Sequence, residues 1–161
     1  AFSQMLLFII VLGGGCIGST SGGIKIIRCI IMSKLVFRGF YRRVHSRSVR
    51  AIKIGDRAIS GKMVSGITSF ALLFLGIFVG TAVVLSLQGL DMSSTLSAAA
   101  SLLTTMGSGF GVIGPSGDYS MFCAPLKLFM SLIMIVGRLE LFSVFLLFMP
   151  EFWDPNKAKL R

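Results

Sequence analysis

Asp91-Met92-Ser93-Ser94-Thr95-Leu96-Ser97-Ala98-Ala99-Ala100-Ser101-Leu102-Leu103-Thr104-Thr105-Met106-Gly107-Ser108-Gly109 is the stretch that decides how this 161-residue chain is read. Asp91 is a helix N-cap residue, and the small residues after it predict a short helix over 92–104. The helix stops at Thr105-Met106-Gly107-Ser108-Gly109, where two glycines predict backbone with φ > 0 and successive carbonyls turned the same way. The negative C-terminal end of the helix would point at that pentapeptide and favour a cation there. A Thr-x-Gly-x-Gly string alone is common in turns, so its meaning depends on what flanks it.

Both flanks are apolar. The chain is 54% hydrophobic and 14% charged, with a mean hydropathy of +0.87, outside the range of an ordinary soluble domain. Residues 63–88 carry no charge, and residues 124–149 carry only Lys127, Arg138 and Glu140. Each run is 26 residues, enough to cross a hydrocarbon core of ~30 Å with some tilt. Between two such spans the pentapeptide has the register of the potassium-filter signature Thr-Val-Gly-Tyr-Gly, in which stacked carbonyls replace the water shell of an ion. The expected architecture is therefore an all-α integral membrane protein: helix 63–88, pore helix 92–104, filter 105–109 and helix 124–149.

Charge orients these spans. Eleven basic residues and one acid, Asp56, lie between Lys25 and Lys62, and the tail at 150–161 adds Lys157, Lys159 and Arg161. The stretch 89–123 has Asp91 and Asp118 and no basic residue. The positive-inside rule then places the basic loop, residues 39–62, and the tail in the cytoplasm, with the filter hairpin facing out. A net charge of +10 also raises nucleic-acid binding, but these basic residues are juxtamembrane and lack stacking aromatics. A lipid membrane, with some anionic-lipid contact, is the partner that the pattern supports.

Residues 1–38 are predicted to be a membrane helix broken at 13–25, Gly13-Gly14-Gly15-Cys16-Ile17-Gly18-Ser19-Thr20-Ser21-Gly22-Gly23-Ile24-Lys25. Gly13-x-Gly15-x-x-Gly18 satisfies a dinucleotide fingerprint, but the neighbourhood where an acidic residue is required is basic. Gly18-x-x-x-x-Gly23 has Ile24 where a P-loop needs lysine. Six glycines and three hydroxyl residues in eleven positions do not hold a helix, and broken backbone at membrane depth must be shielded or line a watery cavity. Discontinuous helices of this kind coordinate or gate ions. A flexible surface linker is the plainer alternative, weakened by the apolar residues on both sides. The apolar start of the chain reads as the middle of a helix, so a longer parent is expected.

The Gly14–Lys25 motif resembles the Trk/Ktr/HKT superfamily of potassium transporters. The likeness continues through Val44-His45-Ser46, Ile52-Lys53-Ile54-Gly55-Asp56-Arg57, the Gly107 filter, Val136-Gly137-Arg138-Leu139-Glu140-Leu141-Phe142 and Phe148-Met149-Pro150-Glu151-Phe152-Trp153. It implies four helix–pore-helix–helix repeats in one polypeptide, of which this chain supplies the second membrane helix of repeat three and all of repeat four. It also implies potassium uptake, passive or by symport, across a bacterial inner membrane. Filter residues would be Thr105, Met106, Gly107, Ser108 and Gly109, with potassium at the first three. The gating loop would include Gly14, Gly15, Gly18, Ser19, Thr20, Gly22, Gly23 and Lys25. The resemblance places Arg138 in the pore wall, near that loop, where it would bond loop carbonyls and repel ions. A homodimer of full-length chains docked on a cytoplasmic nucleotide-binding ring of the RCK type (TrkA-like) is implied as well, without a cofactor beyond the transported ion.

The remaining residues say less. Lys25 either faces the inner vestibule or is a positive-inside anchor. Glu140 is expected to pair with a segment outside this chain, because i,i+2 residues on one helix, such as Arg138 and Glu140, do not face each other. Cys16, Cys29 and Cys123 lack metal-ligand spacing, and His45 falls in the basic loop. No nucleophile–base or paired-carboxylate arrangement supports enzymatic chemistry. Two other readings stay open here: a stand-alone two-span homotetrameric potassium channel, and a membrane-anchored nucleotide-binding protein.

Overall fold

A computed structural model describes residues 2–16, 18–19, 22–45, 53–54, 57–114, 117, 119–148 and 153. Six α-helices account for most of it: α1 Phe2–Gly13, α2 Ile26–Val44, α3 Gly61–Ser86, α4 Met92–Thr104, α5 Ala124–Arg138 and α6 Leu141–Leu147. The only strands among the described residues are β1 Lys53–Ile54 and β2 Arg57–Ala58, an antiparallel pair that Lys34 Nζ ties to α2 through the Lys53 carbonyl at 2.8 Å. A 3-10 turn covers Gly111–Ile113.

The shortest of the central helices is the most enclosed. Ten of the thirteen residues of α4 are buried, Ser94, Thr95 and Ser97 through Thr104, because small side chains let α3 and α5 approach on either side. At ~1.5 Å per residue α4 is about 20 Å long, too short to cross a hydrocarbon core. It is a re-entrant element held inside protein. Asp91 caps it by accepting from the Ser93 N–H at 3.3 Å and from the Ser93 hydroxyl. One cluster packs α4 residues Ala98, Ala99 and Leu102 with Leu85, Phe122, Leu126 and Met130. A second joins Leu103 to Phe70, Phe74 and Leu141.

α3 is the one described helix long and apolar enough to cross a membrane, with a mean hydropathy of 2.3 in its best window. It spans Gly61–Ser86 rather than 63–88, because the Ser60 hydroxyl accepts the Met63 N–H at 3.3 Å and starts the helix two residues earlier. Its buried residues, Phe70, Phe74, Thr81 and Leu85, form one stripe at helical spacing, while Leu72, Leu75, Val79 and Val83 are exposed.

Two further boundaries differ from the sequence reading. The basic segment is not loop from residue 39, since α2 continues to Val44 and ends where the His45 N–H bonds the Tyr41 carbonyl. The last span is not one helix over 124–149. It breaks at Leu139–Glu140, where Glu140 takes φ 56° before α6 begins at Leu141. The expected cytoplasmic tail at 150–161 lies outside the described residues except for Trp153.

Candidate functional site

The C-terminus of α4 and the pentapeptide after it are built on a tight turn. The Thr105 N–H bonds the Leu102 carbonyl at 3.2 Å and the Met106 N–H bonds the Ser101 carbonyl at 3.0 Å, the paired bonds of a Schellman stop. Thr105 takes the left-handed position of that motif, at φ 60°. Gly107 follows at φ +82°, and a Cβ there would meet open space, so its requirement is conformational. Gly109 departs from the sequence reading: it is not among the described glycines with positive φ. A Cβ at Gly109 would instead lie 2.7 Å from the Ser97 hydroxyl, so close approach to α4 selects glycine there.

Side chains of α4 buttress the strand from behind. The Phe110 N–H bonds Ser97 Oγ at 2.5 Å, the Gly109 N–H bonds the Ile113 carbonyl at 2.7 Å, and Gly111 sits against the Ser94 hydroxyl. The Tyr119 hydroxyl donates to the Gly107 carbonyl, and its ring packs 5.9 Å from Phe122. Burial pushes the Tyr119 phenol above its ordinary value, so it remains a donor at neutral pH. Tyr119 carries no recognisable motif in the sequence; only the fold brings it to the strand at 105–109.

The glycine-rich segment lies directly against the end of α4. A Cβ on Gly22 would stand 2.7 Å from the Leu103 carbonyl oxygen, 3.1 Å from Thr104 C and 3.2 Å from the Gly137 carbonyl oxygen. Gly137 of α5 approaches the same Leu103 carbonyl so closely that no side chain fits. Three backbones therefore meet at one point: the loop, the pore helix and the last helix. The loop itself is a closed excursion. The Ile26 N–H bonds the Gly15 carbonyl at 3.2 Å, and Gly14 and Gly23, at φ +68° and +95°, bring entry and exit together. Gly18 has φ +81°, and the Ser19 N–H bonds the Cys16 carbonyl at 3.1 Å; Thr20 lies outside the described residues.

Arg138 ends α5 and shares a cavity of about 500 Å³ with Thr105, Met134, Ile135 and Leu139. The cavity brings Arg138 beside the first residue of the pentapeptide, Thr105. Glu140 pairs with Lys25 and Arg28 of this chain, not with an outside segment as the sequence reading expected. Chain folding brings these residues together across more than a hundred positions, which no local pattern reveals. Lys25 thereby acquires a specific partner beyond a place near the vestibule or an anchoring role.

A short buried helix ended by a glycine-containing strand, with a broken helix packed against its end, is a membrane-protein architecture that known proteins share. The TrkH family model, described as cation transport protein, matches residues 1–155, and the chain belongs to that family. The Trk system potassium uptake protein TrkI of Halomonas elongata is 32% identical over 154 residues, covering 95% of this chain and 31% of that protein. The Trk system potassium uptake protein TrkH of Escherichia coli K12 is 31% identical over 152 residues, with 94% and 31% covered. The crystal structure of the potassium transporter TrkH from Vibrio parahaemolyticus superposes with a TM-score of 0.82 at 32% identity, covering 95% of this chain and 32% of that one. The chain thus spans about a third of the length of these relatives.

Proposed function

We propose that this chain forms one side of a potassium-uptake pathway, with Thr105, Met106, Gly107, Ser108 and Gly109 as a quarter of its filter and residues 13–25 as its gate. The observation that carries the reading is the meeting of Gly22, Leu103 and Gly137, which seats the glycine-rich loop under the end of the pore helix. A helix C-terminus concentrates partial negative charge, so a cation leaving the strand would meet a favourable field and then the loop. Potassium would be held by carbonyls at Thr105, Met106 and Gly107, and Arg138 would face the path from the cavity wall. The length of the relatives favours four repeats in one parent chain over a homotetramer of short ones. A dimeric parent in a bacterial inner membrane, regulated by an RCK-type (TrkA-like) ring, belongs to the same proposal.

The test is Gly107→Ser in the full-length parent, with potassium and sodium uptake compared in liposomes. A Cβ at φ +82° is strained whatever the space, so the strand must rearrange and the potassium-to-sodium ratio should fall. An unchanged ratio in a protein that reaches the membrane would sink the filter assignment.

A further inference from the structure

Three non-glycine residues among those described have positive φ: Lys25, Thr105 and Glu140. Two of them adopt nearly the same conformation, Lys25 at φ 63°, ψ 132° and Glu140 at φ 56°, ψ 121°. Each stands immediately before the helix that resumes after a break, Lys25 before α2 and Glu140 before α6. Such backbone is disfavoured for side chains of this size and persists where surrounding contacts hold it.

Those contacts are an ion triad. Lys25 Nζ bonds Glu140 Oε1, and Arg28 Nη2, one turn into α2, reaches Glu140 Oε2 at 3.2 Å. The Arg28 guanidinium lies 4.0 Å over the ring of Phe70 on α3. Its other terminal nitrogen, Nη1, is buried without an acceptor among the described residues, so Arg28 leans on the carboxylate and the ring. These pairs are the salt bridges found among the described residues, and both end on one carboxylate.

We propose that Glu140 is the catch of a latch: by holding Lys25 and Arg28 it ties the exit of the glycine-rich loop to the break in the last helix, and so keeps Gly22 seated under Leu103. The proposal rests on the reading of residues 13–25 as a gate, and names the side chains that position it. Lys25 is three residues from Gly22, and Glu140 is three residues from Gly137, the two glycines that close on the same carbonyl. The triad therefore spans the close contact from its far side. The Lys25 and Arg28 side chains are only 17% and 20% exposed, so an ammonium or guanidinium deprived of its carboxylate there must find water or another anion. Withdrawal of the loop would accordingly occur together with wetting of the space around Lys25.

The experiment uses the full-length parent in potassium-loaded liposomes and reads basal cation flux. Glu140→Gln, Lys25→Met and the two combined are compared. A separate variant shortened within residues 18–23 tests the gate itself. Each single substitution should raise basal flux by roughly five- to tenfold, the size of an ordinary coupling between sites. The double variant should do no more than Glu140→Gln alone. If shortening the loop raises flux while Glu140→Gln and Lys25→Met do not, the gate stands and the latch is overturned. If shortening leaves flux unaltered, the gate reading fails and the latch fails with it. Should one single variant not reach the membrane, the other removes the same pair. Multiplicative effects in the double variant would also overturn the latch.

Discussion

Thr105 stands where a helix with a Schellman stop ordinarily has glycine. A β-branched residue in the left-handed region costs about 1–2 kcal/mol relative to glycine, and its neighbours must hold it there. Thr105→Gly should therefore stabilise the fold by about 1 kcal/mol, seen as a higher melting temperature. The same change removes the hydroxyl and loosens the first position of the strand, so the potassium-to-sodium uptake ratio should fall. A variant that melts lower, or that keeps its selectivity, would separate Thr105 from the filter. Gly107 and Gly109 are alike in the sequence, yet φ selects the first and the Ser97 hydroxyl selects the second. Spacing exposes the pair of glycines, but it does not distinguish a torsional requirement from a steric one.

Close packing of elements is most exacting where α5 crosses the end of α4. Gly137→Ala would drive a methyl into the Leu103 carbonyl, and overpacking against backbone typically costs about 1–3 kcal/mol. Gly76→Ala in α3 is the matched control, since a Cβ there has no neighbour within 4 Å and helix propensity should make it neutral or stabilising. Thermal melting of the purified parent in detergent would compare them. The other end of α4 responds to pH. The Ser93 hydroxyl and N–H hold the Asp91 carboxylate below its ordinary value of 3.8. The cap therefore contributes fully above that value and is lost as pH falls through the lower, folded one. Asp91→Asn should flatten this acid dependence in a melting series between about pH 5 and 2.

Much of α4 was legible because a capping carboxylate and a run of small residues act locally. The break at Leu139–Glu140 was not, because leucines stand on both sides of Glu140, no proline is near, and the nearest glycine, Gly137, lies inside α5. Its only local signal was a pair of charges in an apolar run, Arg138 and Glu140, and the partners of Glu140 lie at the other end of the chain.

Across the whole molecule, the long span α3 and parts of two interrupted helices, α1 and α5, pack around the short buried helix α4. The cavity that Thr105 and Arg138 share is otherwise lined by Met134, Ile135 and Leu139, apolar surroundings in which a fixed positive charge acts strongly on a cation. Arg138→Ala should raise basal flux in liposomes by about tenfold, whereas Arg138→Lys, which keeps the charge but loses the planar fork, should stay near the parent level. Equal leakage from both variants would mean that hydrogen bonding outweighs charge. Finally, α2 runs unbroken from Ile26 to Val44, about 28 Å at ~1.5 Å per residue. Lys25 sits at one end of this rod and Arg42 and Arg43 at the other. As a rigid lever, it would turn a tilt of about 5° at its basic end into a displacement of about 2.5 Å at Lys25, given its length from the helical rise. That travel is comparable to the difference between an ion pair made and an ion pair lost, so a push on the basic end would be felt at the far end of the rod without any change in the strand at 105–109.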